Sequence, residues 1–553
     1  DELNLNAQES KIISLPELAI LNTPGAEYFV KFSFYQKKDT EWAKAGYEVA
    51  ADQMKLSASE KPILSVEAGK MELIETPDAF TVKGVNFEAT FSKKEGTLSK
   101  YLLNEVSLIS KGPQLNVFRA PTDNDKQVDA EWFKKGLYNM TLEAGNWSVN
   151  KENNKITLQS KNIYRGNNGF DFCNEIEYAV CANGAILVNS IIVPTMNGDI
   201  IPRIGYKLEL PEGFERMRWY GCGPFDNYVD RKDASFVGVY DDLVSNQWTN
   251  YVKPQEMGGH EDVRWMAITN LEGVVFGYVA GDKMSASALH ADAHDMVNPN
   301  NIRKLIHPFE VPRLKETILC LDAKHRPLGN ASCGPGPMQK YELHAEPTVF
   351  SFMMLPLDRS YPTEELANKA RVQMPVCLPV LIERDNNGYL SLKSNTPNAT
   401  IHYQLNGGES QIYKEPVEFV AGGIVTAYAS SQKLGNSLTT SVELPIYVDR
   451  SAWRVVSCSS ENNGEEARNV IDGDPTTIWH TRWSGDNIPK HPHEIVLDMA
   501  SMLEIDKVIY YPRNSGNGRI KNYEIYFSKD GKNWESKTTG AFENSGSAQI
   551  VTL

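Results

Sequence analysis

The stretch WYGCGPFDNYVDR, from Trp219 to Arg231, is the most informative part of the sequence. It begins as a predicted strand, because the apolar residues Phe214 and Met217 lead into it among polar neighbours. The GCGP that follows ends the strand, since its two glycines permit positive φ and its proline fixes the exit. Beyond this turn, Asp230 and Arg231 either pair with each other in a rigid loop of a large β domain or form a polar wall that faces a ligand.

Two other segments complete a set of three motifs. They are FRAPTDND, from Phe118 to Asp125, and YVKPQEMGGHEDVRW, from Tyr251 to Trp265. In chain order the three motifs resemble F-R-A-P-T-D-N-D, G-x-G-P-x-E-N-Y-x-D-R and Y-x-x-P-Q-E-x-G of the large C-terminal β-sandwich domain of family 2 β-galactosidases. Asp226 stands where that family usually has Glu. The resemblance implies that the chain contains this sandwich.

The composition is that of a globular protein with several domains. A length of 553 residues predicts about three or four domains, and a hydrophobic share of 41% with a charged share of 23% is typical of folded chains. The net charge of −15, with no basic cluster, argues against nucleic acid as a partner. The sequence predicts no membrane-spanning segment, because it has no run of about eighteen apolar residues. Seven widely spaced cysteines without a C-x-x-C pair indicate neither a disulfide framework nor a zinc site.

The first two predicted domains consist of strands. Residues 1–60 alternate polar and apolar residues in three runs, too few strands to close a sandwich. Within them, TEWAKAGYEVA, from Thr40 to Ala50, resembles the second half of the immunoglobulin-like domain that precedes the large sandwich in family 2 β-galactosidases. We therefore expect a partial domain whose upstream residues are missing. Residues 61–357 are predicted to form the large sandwich, with helical character near Glu131 to Tyr138. Strands and longer helices do not alternate, so no (β/α)₈ barrel is expected.

Residues 358–374 are predicted to be a linker that contains an amphipathic helical turn from Thr363 to Arg371. Residues 375–447 then contain NTPNATIHYQLNGG, YKEPVEF and IVTAYASSQKLGNS. This pattern resembles the small immunoglobulin-like domain appended to chitobiase-type and other bacterial glycosidases. Since nothing in it converges on chemistry, we interpret it as a spacer.

Residues 448–553 carry a third resemblance. ARNVIDGDPTTIWHTRW, from Ala467 to Trp483, and PRNSGNGRIKNYEIY, from Pro512 to Tyr526, resemble the discoidin or factor V/VIII type C jelly roll, known in glycosidases as the family 32 carbohydrate-binding module. We expect this jelly roll to be cut short at Leu553. The expected fold class is all-β: a partial immunoglobulin-like sandwich, a large β-sandwich, a small immunoglobulin-like domain and a discoidin-type jelly roll.

The last resemblance implies a sugar site formed by His480, Arg513 and Asn517. A galactose-type ligand presents a ring of hydroxyls above a small apolar face, and so requires fixed donors and acceptors on a rigid β scaffold. His480 offers a ring nitrogen, Arg513 a fork of donors for two adjacent hydroxyls, and Asn517 an amide between two glycines. The alternative is that His480 is a core histidine and Arg513 belongs to a surface ion pair.

The turn DGDPTT supplies three hard oxygen donors, Asp472, Asp474 and Thr477, around a glycine. Such a loop suits Ca²⁺, which takes six to eight oxygen ligands, including backbone carbonyls. An Asx-type turn without metal is the alternative. Calcium in the terminal module is the one cofactor that the sequence predicts.

A glycosidase needs two carboxyl groups that flank the scissile bond. In the sandwich, Asp123, Asp125 and Glu256 stand in motif loops, and we expect them to brace loops by accepting backbone N–H bonds rather than to act in catalysis. His290 and His294 have the spacing of metal ligands on a helix. Because they lie in strand and loop context, a structural role is expected for both.

The loop from His325 to Met338 corresponds to a family loop that leans toward the barrel mouth and can present an aromatic side chain to the sugar. This chain has Cys333 and no aromatic residue there. We interpret the chain as the non-catalytic, C-terminal part of a secreted or periplasmic retaining β-galactosidase, inactive alone, whose barrel lies upstream and whose terminal module holds galactose-type glycans. The alternative is a non-enzymatic carbohydrate-binding or adhesion protein built of β-sandwiches. An upstream barrel with two catalytic Glu residues would separate the two interpretations.

Overall fold

The computed structural model is almost entirely β. Strands make up 46% of it and helices 6%, which confirms the all-β fold class. The structure describes residues 5–6, 8–14, 23–62, 69–152, 154–302, 304–357, 368, 371, 374, 376–385, 387–473, 477–485, 488–513, 518–544 and 548–553. No helix among these residues is long and apolar enough to span a membrane.

The chain forms two compact units. Their bounds are Asp1–Leu64 with Asn368–Gln373 for the first, and Ser65–Ala367 with Met374–Leu553 for the second. The first unit contains an antiparallel pair of strands, β1 (Glu27–Tyr35) and β2 (Glu48–Ala58). These are the second and third of the three runs that predicted strands. The exposed rings of Trp42 and Tyr47 meet edge to face between the two strands, with centroids 5.7 Å apart.

The second unit begins with a five-stranded antiparallel sheet in the order β3-β4-β5-β6-β7. The strands are β3 (Glu72–Glu75), β4 (Ala79–Lys83), β5 (Phe87–Ser92), β6 (Thr97–Leu103) and β7 (Val106–Ser107). One face of β5 is buried, because Phe87, Ala89 and Phe91 alternate with partly exposed residues. These side chains belong to the main core of the large domain, which they share with Tyr178 and Trp219.

A thirteen-stranded antiparallel sheet forms the rest of the large domain. Its strands are β8 (Lys111–Asn116), β9 (Thr141–Glu143), β10 (Trp147–Lys151), β11 (Lys155–Arg165), β12 (Phe172–Cys181), β13 (Ile186–Pro194), β14 (Arg203–Leu210), β15 (Phe214–Gly223), β16 (Phe236–Leu243), β17 (His260–Asn270), β18 (Val275–Leu289), β19 (Thr317–His325) and β20 (Thr348–Leu357). The main path runs β10-β11-β12-β13-β20-β18-β17-β15-β16, while β19, β14 and β8 extend the sheet from β18.

The strand predicted ahead of the GCGP turn is β15. Phe214, Met217 and Trp219 are all buried in it, as the sequence pattern predicted. The Trp219 indole donates to the Cys222 carbonyl at 2.9 Å and its ring packs 4.1 Å from that of His260. The tryptophan therefore fixes the end of β15 against the neighbouring strand β17.

Helices are short in the large domain. The α-helix α1 (Asp129–Lys134) begins two residues before the helical stretch that the sequence predicted. Turns of 3₁₀ helix occupy Asp123–Asp125, Val244–Gln247, Ala293–Met296, Pro308–Glu310 and Gln339–Tyr341. The helical turn predicted from Thr363 to Arg371 lies almost wholly outside the described residues. All seven cysteines are free.

Residues 376–447 form two small sheets around a core of their own. The strands are β21 (Leu381–Arg384), β22 (Tyr389–Lys393), β23 (Thr400–Leu405), β24 (Gln411–Ile412), β25 (Val417–Glu418), β26 (Gly423–Ser431), β27 (Gly435–Asn436) and β28 (Thr440–Leu444). One sheet has the order β21-β22-β25, and the other joins β24, β23, β26, β27 and β28. Leu390 and Val425, both fully buried, meet in the core between them.

The described residues of the terminal domain form three antiparallel strand pairs: β29 with β30, β31 with β34, and β32 with β33. The strands are β29 (Arg454–Cys458), β30 (Ile495–Asp498), β31 (Lys507–Tyr510), β32 (Asn522–Phe527), β33 (Glu535–Ala541) and β34 (Gln549–Thr552). A 3₁₀ turn at Ala467–Val470 interrupts the long loop between the first pair. Of the predicted sugar and calcium residues, the described ones, Asp472, Thr477, His480 and Arg513, stand in loops.

Candidate functional site

The three motifs of the large domain converge on residues 325–332, which we call the braced loop. Its second residue, Arg326, is buried. The fully buried Asp125 carboxylate accepts from Arg119 at 2.8 Å and from Arg326 at 2.5 Å. It also accepts from the backbone N–H of Thr122 at 2.8 Å. A single carboxylate of FRAPTDND therefore joins its own turn to the beginning of the braced loop.

The main chain of the braced loop is held as well. Arg119 donates to the carbonyl oxygens of Arg326 and of the next residue, at 2.7 and 3.1 Å. The Asn124 side chain donates to the Gly329 carbonyl at 2.6 Å and accepts from the Ser332 N–H at 2.9 Å. Because these bonds reach backbone atoms, FRAPTDND sets the path of the loop regardless of the side chains at its tip.

Asp230 and Arg231 do not pair with each other, so the prediction that they are partners is wrong. The Asp230 carboxylate accepts from the backbone N–H groups of Leu328 at 2.9 Å and Gly329 at 2.8 Å. These two donors occupy both of its oxygens. The half-exposed Arg231 instead donates to Asp226 at 3.0 Å. This motif does brace the structure as expected, but Asp230 holds the braced loop rather than Arg231, its neighbour in sequence.

Glu256, from the third motif, belongs to a second ionic group beside the first. Arg203 on β14 donates to Asp322 at 2.5 Å and lies 3.5 Å from one Glu256 oxygen. The other Glu256 oxygen faces His325 Nε2 at 3.6 Å. Burial alone raises the pKa of Glu256, but the charge of Arg203 and the contact with His325 outweigh it and lower the pKa to about 2. Glu256 is therefore ionised at neutral pH.

Asp125 has the predicted bracing role, because its carboxylate accepts a backbone N–H bond. Glu256 also braces, but through the side chains of Arg203 and His325 rather than through the backbone N–H bonds that were expected. Burial also raises the pKa of Asp125, but the charges on Arg119 and Arg326 lower it by more. Asp123 contributes through its backbone N–H, which donates to the side chain of the residue before Glu256 at 3.1 Å. A glycosidase needs one carboxyl that is protonated and one that is free to meet substrate. Arginines keep Asp125 and Glu256 ionised, so neither carboxylate can serve as the protonated acid.

His290 and His294 are structural, as expected. His290 contacts the Glu215 carboxylate at 2.6 Å and a backbone carbonyl at 2.9 Å. His294 contacts Asp292 at 2.6 Å and a backbone carbonyl at 2.8 Å. All four ring nitrogens are thus occupied. Within the described part of the chain, no group of three His, Cys, Asp or Glu side chains is placed to hold a metal ion.

Glu261 is a titratable group that sequence reasoning missed. It lies on β17 and accepts from the Ser285 hydroxyl at 2.7 Å. Burial raises the pKa of Glu261 to about 7, and the charges of Asp262 and Asp322 add to the rise, whereas Ser285 and Lys232 oppose it. The adjacent like charges of Glu261 and Asp262 were the one signal available in the sequence.

In the terminal domain, His480 and Arg513 come together at Gly518. This glycine has φ +75°, and a Cβ on it would lie 2.6 Å from His480 Nε2 and 3.6 Å from Arg513 Cδ. His480 Nδ1 donates to the Thr481 carbonyl at 2.6 Å. Nε2 of the neutral ring is therefore an acceptor, and it lies on the Gly518 side. Asn517, the third predicted sugar contact, lies outside the described residues.

Trp483 is a second residue that sequence reasoning missed. It is 59% exposed, and its indole N–H donates to the Glu465 carboxylate at 3.3 Å. The Glu465 carbonyl accepts from the His480 N–H at 3.1 Å, so one residue orients both rings. Asn462 is bonded to both residues. Its side-chain amide donates to the Glu465 carboxylate at 3.1 Å, and its backbone N–H donates to the His480 carbonyl at 3.0 Å. An aromatic residue three positions after His480 was the available signal.

The candidate calcium turn is described in part. The Thr477 hydroxyl donates to the Asp472 carboxylate at 2.7 Å, and Gly473 has φ +77°. Asp474 lies outside the described residues. A carboxylate and a hydroxyl side by side around a glycine are the hard oxygen donors that Ca²⁺ takes, so the chemistry of these residues fits the ion.

Three parts of the chain match known family models. Residues 83–354 match the family model of the β-galactosidase small chain, residues 1–57 match β-galactosidase domain 4, and residues 455–553 match the F5/8 type C domain. Two parts of the chain thus match β-galactosidase family models. The three motifs and the braced loop all fall within the small-chain match, and the predicted sugar and calcium residues all fall within the F5/8 type C domain.

Known β-galactosidases are similar to this chain over part of their length. The β-galactosidase of Priestia megaterium is 30% identical over 255 residues, which are 45% of this chain and 24% of that protein. The β-galactosidase of Psychromonas ingrahamii is 26% identical over 374 residues, which are 62% of this chain and 34% of that protein. A putative aldose 1-epimerase of Escherichia coli K12 aligns with 10% identity and a TM-score of 0.27 over 52% of this chain and 99% of its own, a likeness too weak to carry an argument. The chain spans about a quarter to a third of the length of the two β-galactosidases.

Proposed function

We propose that the chain is the non-catalytic, C-terminal part of a retaining β-galactosidase that hydrolyses terminal β-galactosides. In a retaining glycosidase, one carboxylate attacks the anomeric carbon while a carboxylic acid protonates the leaving group, and the same acid then serves as base for water. Both groups would lie on a barrel that other residues of the parent protein supply. The large sandwich would buttress that barrel, with the braced loop as its fixed point of contact.

The contacts that the motif carboxylates make support this proposal. Asp125 is enclosed by two arginines, Asp230 accepts two backbone N–H groups of the braced loop, and Glu256 lies against Arg203 and His325. Each of the three motifs therefore uses an acidic residue to hold structure. This is the arrangement expected of a scaffold, since a catalytic carboxyl must remain free to reach the sugar.

Activity measurements test this part of the proposal. The isolated chain should hydrolyse no chromogenic β-galactoside above background, whereas the parent protein should hydrolyse it. Glu256→Gln in the parent should lower the melting temperature, yet leave kcat unchanged at a temperature where the variant is still folded. Turnover by the isolated chain that disappears in a folded Glu256→Gln variant would show that the sandwich is itself catalytic.

We also propose that the terminal domain binds galactose-type glycans through His480, Arg513 and Asn517. The His480 Nε2 accepts from one sugar hydroxyl, the Arg513 fork donates to two adjacent hydroxyls, and the Asn517 amide adds a further contact. The exposed face of Trp483 offers a surface for the apolar face of the sugar. With so few contacts the affinity should be millimolar, or about −4 kcal/mol.

Sugar titration tests the binding site. Galactose and N-acetylgalactosamine should bind the chain more tightly than glucose, and both His480→Ala and Arg513→Ala should abolish binding. Trp534→Ala is the matched control, because Trp534 is also an exposed tryptophan of the terminal domain. Unchanged binding by the two site variants would remove these residues from the site.

Asp472, Asp474 and Thr477 are proposed to hold Ca²⁺. When bound, the ion would cross-link the oxygens of this turn, three residues before His480. Calcium should then raise the melting temperature of the chain, and Asp472→Asn should cancel the effect. If calcium raises the melting temperatures of the chain and of the variant equally, the turn does not hold the ion and is an ordinary Asx turn.

A secreted or periplasmic location is proposed for the parent, where a glycan-binding module would meet its ligands. The other candidate, a non-enzymatic carbohydrate-binding or adhesion protein, has less support, because two parts of the chain match β-galactosidase models. The parent sequence separates the two, since a barrel with two catalytic Glu residues is required by the first and absent from the second.

A further inference from the structure

In the loop that carries Arg513, the guanidinium group of Arg519 lies against the Arg513 backbone. Arg519 Nε donates to the Arg513 carbonyl at 3.1 Å, and its Nη1 donates to Asn544 at 3.1 Å. Arg513 itself lies at Gly518 opposite His480. The chain as a whole carries a net charge of −15, so this loop is a local positive exception in a negative protein.

Two more histidines of the terminal domain, His491 and His493, lie against each other. The ring centroids of His491 and His493 lie 4.3 Å apart. Burial lowers the pKa of His493, and the charges of His491 and His480 lower it further. Nδ1 of His493 is buried and has no hydrogen-bond partner among the described residues.

Arg513 differs from the buried arginines of the large domain. Arg119, Arg203 and Arg326 each pair with a carboxylate. The partly exposed Arg513 guanidinium has no hydrogen bond or ion pair to another described residue. A guanidinium binds a carboxylate or similar oxyanion with two parallel, charge-assisted bonds, which are about twice as strong as bonds between neutral groups. Arg513 is thus open to an anionic group of a ligand.

Glu465 is bonded to the His480 backbone, and the position of its carboxylate matters for the charge balance. It accepts from Asn462 at 3.1 Å and from Trp483 at 3.3 Å, on the backbone side of His480. These bonds orient the Glu465 carboxylate toward Asn462 and Trp483. It forms no ion pair with Arg513, so it leaves the guanidinium charge available.

We infer that the terminal site prefers a galactose-type sugar that carries an acidic group, a uronic carboxylate or a sulfate ester, over neutral galactose. This inference rests on the proposed sugar site and specifies the class of its ligand. In the inferred complex, Arg513 binds the oxyanion while His480 Nε2 accepts from a ring hydroxyl. A carboxylate and a sulfate share this oxyanion chemistry, and separate titrations distinguish them.

The test is a calorimetric titration of the whole chain with galactose, galacturonic acid and galactose 6-sulfate. At an ionic strength of about 0.01 M, at least one acidic sugar should bind at least about tenfold more tightly than galactose, which is about 1.4 kcal/mol. The advantage should shrink at about 0.15 M, because the Debye length falls from about 30 Å to about 8 Å. Binding of galactose should change little between the two conditions.

Three variants locate the effect. Arg513→Gln should remove the preference for the acidic sugar, whereas Arg513→Lys, which keeps the charge but not the fork, should retain the salt dependence at weaker affinity. Lys507→Gln is the charge-matched control. Lys507 opens β31, so the length of that strand, about 10 Å, separates it from the loop of Arg513. This variant should bind both kinds of sugar as the unmodified chain does.

The outcomes separate this inference from the proposed function. If galactose binds and neither acidic sugar binds more tightly at low ionic strength, the inference is wrong and the sugar site stands. If no sugar binds, the site and the inference fail together. If Lys507→Gln weakens binding of the acidic sugar as much as Arg513→Gln does, the attraction is diffuse, and the inference of a site at Arg513 is wrong.

Discussion

The large domain and the terminal domain use the same residue types in opposite ways. Around the braced loop, Arg119 and Arg326 enclose Asp125, and all three side chains are buried. In the terminal domain, Arg513 is partly exposed beside His480 and makes no ion pair with a described residue. A buried charge must be paired, because leaving it unpaired costs several kcal/mol, whereas an exposed charge is solvated and available to a ligand. Burial and pairing, rather than residue type, thus distinguish a brace from a binding residue.

Removing the central brace should have the largest effect. Asp125→Asn leaves two buried guanidinium groups without their anion and should lower the free energy of unfolding by about 3–5 kcal/mol, measured by chemical denaturation. Asp241→Asn is the control, since its partner Arg218 and Asp241 itself are largely solvated, with side chains 35% and 63% exposed. It should cost about 1 kcal/mol or less. Equal losses for the two variants would contradict the distinction between buried and exposed pairs.

Glu261 should give the large domain an unusual pH dependence. Its folded pKa of about 7 lies above the ordinary value of 4.5. Its contribution to stability is therefore fully present below about pH 4.5 and is lost as the pH rises through about 7, by about 2–3 kcal/mol. Glu261→Gln should remove this loss, so that the variant is more stable than the unmodified chain at about pH 8 but not at about pH 5.

Glu256 should make stability depend on pH in the opposite direction. Its folded pKa of about 2 means that its contribution is present above about pH 4.5 and is lost as the pH falls through about 2. Glu256→Gln should accordingly destabilise the chain at about pH 8, where Glu261→Gln stabilises it. Unfolding free energies of the two variants that shift in the same direction at that pH would contradict the two assigned pKa shifts.

A substitution at Gly518 tests the terminal site with a smaller expected loss of stability. In Gly518→Ala, the new methyl group would displace the His480 ring, and we expect sugar affinity to fall at least about tenfold. The left-handed backbone should cost about 1–2 kcal/mol of stability. Gly531→Ala is a matched control, because Gly531 has φ +68° and nothing within 4 Å of its added Cβ. It should lose similar stability and keep its sugar affinity, as followed by titration and thermal melting.

Arg231 should show the smallest effect. Its partner is Asp226, and the Arg231 side chain is 51% exposed. Arg231→Ala should therefore change the free energy of unfolding by about 1 kcal/mol or less. A loss of about 3 kcal/mol or more would mean that Arg231 belongs to the buried network after all.

The sequence predicted what depends on local pattern. The alternation of apolar and polar residues was enough to place β15, and the motif context was enough to assign bracing roles to Asp125 and Glu256. The partner of Asp230 could not be predicted, because it consists of backbone N–H groups about a hundred residues later, at Leu328 and Gly329. A side chain's partner depends on the path of distant chain segments, which local pattern does not encode.

The candidate sugar site shows the same limit. His480 and Arg513 meet at Gly518 from two loops on different strand pairs, and no spacing rule brings them together. Their pairing in the prediction came from resemblance to a family. The raised pKa of Glu261 depends on burial and on the charge of Asp322, which stands on another strand of the folded sheet. These features required the tertiary structure.

Hydrogen exchange of the intact chain with saturating galactose tests most directly the claim that the large domain braces and the terminal domain binds. Peptides that cover 477–485 and 518–521 should gain protection. Peptides that cover the three motifs and the braced loop should exchange at the same rate with and without sugar. Galactose-dependent protection at 226–231 or 325–332, with none in the terminal domain, would contradict the account. The ligand site would then be the polar wall of the large domain.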